Sequence, residues 1–306
     1  LIQGAQTSVL YISHNLGVIA RLCQRALVLY AGEMVEDARL DDLFTQPLHP
    51  YTRGLLNSLP IPGQNKYRHP LQSIPGSIPA LGERPAGCIF LDRCPLALAV
   101  CRERPAWEQV TIERRVRCHR WREIYTGQIK PDFQALSDSR FRTQVVPELG
   151  SQPSLLSLRA VGVDFSLGRS LGDFVHGRPE RRLTALTQVD LSLPKTLTIG
   201  LIGESGSGKT TLARAILGLV EPTRGAIELI QSPLPGHLSR RSLETLRKLQ
   251  LVFQNPEEAL NPHHTVGAAL RRSVMRFQDK TRFEAEKEVS RLLSMVQLPE
   301  IYASRF

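Results

Sequence analysis

Hydrophobic positions along the chain fall into short runs at strand or helix spacing, broken by Pro, Gly and polar clusters. Residues 197–202, LTIGLI, are mostly apolar and of strand length, which predicts a buried strand. Residues 211–219 follow with apolar positions at helical spacing. Upstream, residues 7–13 are β-branched and aromatic and read as a central strand. Asn15 can cap a helix over residues 16–23. Strands at Arg25–Tyr30 and residues 33–36 flank an Ala31-Gly32 turn, a hairpin signal. Short helices are predicted over residues 39–44 and 51–58, with the breaker QPLHP between them.

The second half of the chain repeats the alternation. Residues 155–161 and 185–193 read as strands, separated by a basic, Gly-containing insertion at residues 168–182. Residues 226–230 form a strand after the turn EPTRG, and Leu243–Lys248 a helix. Residues 249–253, LQLVF, read as another apolar strand. Residues 265–277 and 282–296 are amphipathic helices, the second apolar at Val289, Leu292, Leu293 and Val296. Strands alternating with helices predict an α/β fold. Residues 60–87 are rich in Pro and Gly and read as an extended connector; residues 124–153 are polar and Pro-punctuated, a linker. Four segments result: 1–59, 60–123, 124–153 and 154–306.

Composition narrows the classes. The chain has 306 residues, 42% of them hydrophobic, ordinary for a globular protein of about two domains. No apolar run approaches the ~20 residues needed to span a bilayer, and nothing at the start resembles a signal peptide. The net charge is +10, scattered over Arg178, Arg181 and Arg182, over Arg240 and Arg241, and over residues 114–122. No aromatic residues interleave with these groups as in a single-strand binder, so nucleic acid is not an expected partner. Lipid headgroups or a membrane protein suit the charge better.

The strongest chemical signal lies between the strand at 197–202 and the helix after it. Gly203-Glu204-Ser205-Gly206-Ser207-Gly208-Lys209-Thr210 matches G-x-x-x-x-G-K-[ST], and Thr211 continues it. Strand, glycine-rich turn and helix is the context that a phosphate-binding loop requires. The glycines let successive N–H groups point at an anion, and the helix N-terminus adds partial positive charge. Lys209 would reach the β- and γ-phosphates of ATP, and the Thr210 hydroxyl would sit on Mg²⁺. The bland alternative is a turn that binds nothing.

Other candidates are weaker taken singly. Cys88, Cys94, Cys101 and Cys118 are spaced C-x5-C-x6-C-x16-C. Four thiolates from one segment could hold an iron–sulfur cluster or Zn²⁺, although the spacing fits neither zinc-ribbon nor ferredoxin patterns; reduced, partly buried thiols are the alternative. Cys23 stands apart as a core residue. His14 closes the first strand, where a surface or capping role is the usual one. Gln254 ends the apolar run at 249–253, where its amide oxygen could reach Mg²⁺ or water. Phe165 follows the strand at 155–161 and is either a core side chain or an aromatic platform.

Taken together the motifs resemble the ATP-binding subunits of ABC transporters, and within them the oligopeptide/dipeptide/nickel importer family. YISHNLGVIARLCQRALVLYAGEMVE resembles the end of such an ATPase domain. PLHPYTRGLL, IPG and GCIFLDRCPLALAVC, with Cys118-His119, resemble the family's C-terminal extension. GESGSGKTTLARAILGL and LVFQNPEEALNP resemble the phosphate loop and Q-loop of a second ATPase domain. The resemblance implies incomplete P-loop NTPase domains: the end of a first at 1–59, its extension at 60–123, a linker at 124–153, and the beginning of a second at 154–306. Leu1 and Phe306 are then expected to be internal points of a longer, fused protein.

The resemblance also implies roles. His14 matches the switch histidine, Gln254 the Q-loop glutamine, and Phe165 the adenine-stacking position. The four cysteines match a cluster for which [4Fe–4S] is the implied occupant in some members. ATP would be sandwiched between two such domains. Their opening and closing would drive permease subunits at the cytoplasmic face of the membrane, with an extracytoplasmic binding protein choosing the solute. This stretch lacks a signature sequence and a Walker B pair, so it is expected to bind nucleotide without turning it over. A less favoured arrangement docks the strands of segment 1–59 into the unfinished sheet of segment 154–306, bringing His14 near Thr210. The competing classes are a phosphate-loop ATPase of DNA repair or translation and a metal- or redox-sensing module.

Overall fold

A computed structural model describes residues 7–59, 73–129, 153–168, 182–253 and 260–305. The chain divides into two compact units, Leu1–His237 and Leu238–Phe306.

In the first unit, β1 (Val9–Ile12) leads through a bend at His14 into α1 (Leu16–Leu22). The Asn15 side chain accepts the Val18 N–H, the expected cap. β2 (Arg25–Tyr30) and β3 (Glu33–Arg39) pair antiparallel, and α2 (Leu40–Thr45) and α3 (Pro50–Asn57) follow. β4 (Glu108–Thr111), β5 (Arg114–Val116) and α4 (Trp121–Tyr125) come from the cysteine-containing segment. β6 (Ser154–Ser166) and β7 (Arg182–Pro194) form a long antiparallel pair with several register shifts. β8 (Thr198–Ile202) runs into the glycine-rich loop and α5 (Lys209–Leu217); β9 (Arg224–Leu229) and the short β10 (Ser232–Pro233) follow.

Among the described residues these strands make two sheets. One has the order β1-β8-β2-β3-β5-β4, the other β10-β9-β6-β7. In the first, β8 lies between β1 and β2 and is parallel to both, with Ile12 opposite Leu201 and Val28 opposite Ile202. Strands from residues 9–30 thus enclose a strand from residues 198–202, and segments that the sequence sets in two half-domains share one sheet. The side chains explain the fit. Ile199, Leu201 and Ile202 of β8 are buried, as are Ala26–Tyr30 of β2, and Ile19 and Cys23 pack over Gly200. A parallel strand buried on both faces needs apolar neighbours on either side, and β1 and β2 supply them.

The second unit contains α6 (Leu243–Lys248), α7 (Val266–Gln278), α8 (Arg282–Met295) and a 3-10 turn at Glu300–Ser304. Thr265 caps α7, and Thr281 with Glu284 forms a capping box on α8. Gly267 and Val274 of α7 and Ala285, Val289 and Leu293 of α8 are the buried positions of these two helices. The apolar run after α6 departs from expectation. Residues 249–253 form no strand; Val252 is 93% exposed, and Leu251 and Phe253 are also exposed. Apolar character alone does not make a strand, because the backbone N–H and C=O groups need a neighbour to pair with.

Candidate functional site

The glycine-rich loop leaves the C-terminal end of β8, where ligands bind in open parallel sheets. Gly206 and Gly208 sit at φ +81° and +103°, which turns successive amides inward, and Gly208 caps α5. The N–H groups of the first turn of α5, Lys209 to Thr211, have no partners within the helix and carry its positive end. Ser205, Gly206 and Thr210 are exposed, while Ser207 is fully buried beneath them.

Lys209 is folded over this loop. Its Nζ donates to the Gly203 carbonyl at 2.7 Å, the Glu204 carbonyl at 2.8 Å and Ser207 Oγ at 3.3 Å. Burial pushes the ammonium's pKa below the ordinary lysine value, and the Glu204 carboxylate opposes that shift. A desolvated cation at a helix N-terminus attracts an anion more strongly than one in water.

Neighbouring elements lock the loop from below. The Ser207 carbonyl accepts the Gly32 N–H at 2.8 Å, and the Gly32 carbonyl accepts the Thr187 N–H at 2.8 Å. Gly32 has φ +82°, and a Cβ there would stand 2.1 Å from the Ala185 carbonyl oxygen, so only glycine fits this bridge from hairpin turn to β7. The Glu204 N–H donates to the Tyr51 hydroxyl at 2.9 Å. Arg93 holds the Glu204 carboxylate through two nitrogens, at 2.9 and 3.3 Å.

The other expected residues take various places. His14 lies exposed in the bend after β1, at the same sheet edge as Gly203, because Ile12 is level with Leu201. Phe165 lies inside β6, which extends beyond the expected end at residue 161; it faces Leu183 in register and is 40% exposed. It is no core side chain. Gln254 lies outside the described residues. Cys23 is fully buried, as expected, and burial pushes its thiol up to about 12.

Cys88, Cys94, Cys101 and Cys118 line one pocket with His49, Phe90 and His119. Burial pushes the Cys88 thiol up to about 11 and the Cys118 thiol up to about 12, and it raises Cys94 as well. These three thiols are therefore protonated at neutral pH unless a cation offsets the cost. Among the described residues, no three His, Cys, Asp or Glu side chains come close enough together to hold a metal ion. The set thus does not fit a single Zn²⁺ as it stands.

Sequence reasoning passed over Arg93, Tyr51 and Tyr30. Tyr51 and Arg93 lie within PLHPYTRGLL and GCIFLDRC, but nothing local in those strings points at a loop more than a hundred residues away.

Two families match the chain. The family described as "Oligopeptide/dipeptide transporter, C-terminal region" matches residues 35–101, and "ABC transporter" matches residues 186–306. The Oligopeptide transport ATP-binding protein OppD of Mycobacterium bovis is 34% identical over 303 residues, 97% of this chain and 47% of that protein. The Probable peptide ABC transporter ATP-binding protein y4tR of Sinorhizobium fredii is 44% identical over 119 residues, 39% of this chain and 35% of that one. The Glutathione import ATP-binding protein GsiA of Pectobacterium atrosepticum is 29% identical over 300 residues, 98% of this chain and 38% of its own length. The chain spans about half the length of the OppD relative or less of the others.

Proposed function

We propose that in this chain, which belongs with the ATP-binding proteins of ABC transporters of the oligopeptide/dipeptide kind, the loop Gly203–Thr211 grips the phosphates of ATP. One observation carries the reading: the half-buried Lys209 ammonium is held over a glycine nest at the start of α5. Lys209 then moves from carbonyl oxygens to the β- and γ-phosphates, and the loop amides and helix end share the remaining charge. Thr210, exposed at the first turn, offers its hydroxyl to Mg²⁺, which when bound neutralises charge on the phosphates. His14 stands on the same sheet edge and would steady the terminal phosphate, with Gln254 as a further ligand and Phe165, exposed on β6, as the adenine platform.

In the whole protein this binding would be coupled to ATP hydrolysis and to uptake of peptides or similar small solutes. The partners would be permease subunits, a second ATPase domain and, indirectly, an extracytoplasmic binding protein. The names of relatives that import peptides and glutathione support that solute class. No helix of the described residues is long and apolar enough to cross a membrane, and a peripheral position at the cytoplasmic face fits such a subunit. Titration calorimetry with MgATP tests the reading: Lys209→Ala loses measurable affinity, and the same change in the intact protein abolishes ATP-dependent uptake. Unchanged affinity in that variant would refute it.

The four thiols support a second element of the proposal. The four cysteines that line this pocket match a [4Fe–4S] cluster in donor kind and number, and they would have to draw together from where they stand to hold one. Iron and acid-labile sulfide in anaerobically purified protein, lost together on Cys101→Ser, are the expected result. Protein with neither would refute the cluster.

A further inference from the structure

The loop carries a charge that works against its task. Glu204 places a carboxylate in a cradle built for an anion, beside the cation meant for that anion. Left free, the carboxylate could fold onto Lys209, whose Nζ already rests 2.8 Å from the Glu204 carbonyl. At close range an opposite charge would tie up the ammonium and repel phosphate.

Arg93 prevents this by its position. Its side chain is 7% exposed, and all five N–H groups are used. Nε donates to the Pro75 carbonyl at 2.8 Å, Nη1 to Tyr30 Oη at 3.3 Å and Glu204 Oε2 at 2.9 Å, and Nη2 to the Ile74 carbonyl at 3.2 Å and Glu204 Oε1 at 3.3 Å. Tyr51 completes the clamp by accepting the Glu204 N–H, and burial raises its phenol pKa so that it stays neutral. A guanidinium fixed from five directions cannot follow the carboxylate elsewhere; the carboxylate must stay with it.

We propose that Arg93 is a positioning residue for nucleotide binding: it sequesters the Glu204 carboxylate so that Lys209 and the loop amides face the phosphates uncontested. The inference rests on the nucleotide-binding reading. It adds that the segment carrying Cys88 and Cys94 supplies the cation that pairs with the loop's own carboxylate.

MgATP titration of the chain as it stands tests this, with wild type, Arg93→Ala, Arg93→Lys and the double variant Arg93→Ala/Glu204→Ala, each also followed by thermal melting. Arg93→Ala weakens affinity about tenfold, of the order expected when a half-buried charge is released beside the site. Arg93→Lys, a point charge without the fork, falls between it and wild type. The double variant binds several-fold tighter than Arg93→Ala alone, because the stray carboxylate is gone. A merely structural role would lower the melting temperature of Arg93→Ala and of the double variant alike and leave the double as weak as the single. That result, or an Arg93→Ala affinity equal to wild type, would overturn the inference while nucleotide binding stood. A wild-type chain that binds no MgATP would remove both.

Discussion

At the scale of single residues, the interior holds polar groups whose state depends on burial. His49 is 1% exposed and caps α3, accepting the Tyr51 N–H at 3.0 Å through Nδ1, while its own N–H donates to Glu36 Oε2 at 2.9 Å. Burial, then the Arg117 charge, push its pKa from 6.5 down to about 3. The sign follows from proton counting. Between pH 3 and 6.5 the unfolded chain binds a proton that the folded one refuses, so stability rises with pH across that window. The contribution is fully present above 6.5 and is lost as pH falls towards 3, by up to about 1.4 kcal/mol per pH unit. Urea titrations from pH 4 to 7 should show that slope in wild type and a shallower one in His49→Asn, whose amide oxygen can still accept the Tyr51 N–H. Equal slopes would contradict the assignment. His49 was legible in the sequence only as part of a breaker, because nothing local says that the imidazole is sealed.

At the scale of elements, hydrophobic spacing located most strands and helices, and charge pairing decided where they end. β3 was expected to stop at residue 36 but continues to Arg39, with Glu33, Glu36 and Asp37 all buried. Its acids are paired across the sheet. Asp37 takes Arg25 at 2.6 Å and Arg115 at 3.0 Å; Glu36 takes Arg114 at 3.1 Å and the N–H groups of Leu48 and His49. An isolated buried carboxylate would cost several kcal/mol, so these arginines are what permit the strand to run on. Two of the three come from β5, in the cysteine-containing segment, which thereby becomes part of the sheet. Residues 249–253 show the reverse: their apolar letters suggest a strand that no neighbour among the described residues completes. Local pattern reports what a segment could bury, and partners far away in sequence decide whether it does.

At the scale of the molecule, the glycine motif and its flanking strand and helix were readable from letters alone, because a phosphate loop is a local object. The order β1-β8-β2 is legible only as the less favoured docking of segment 1–59 into the sheet of segment 154–306, since a parallel strand carries no local mark of its neighbours. The clamp on Glu204 is not legible at all, its two ends being 111 residues apart. At this scale β1 and β2, both from residues 9–30, enclose β8 from residues 198–202 and hold out the one loop proposed to grip ATP. Amide hydrogen exchange with and without MgATP tests it most directly. The amides of Leu10–Ile12, Ile199–Ile202 and Ala26–Val28 should exchange slowly and together in free protein, and MgATP should slow exchange at Gly206–Thr211 further. Fast exchange at Leu10–Ile12 beside a protected β8, or a loop indifferent to MgATP, would contradict it.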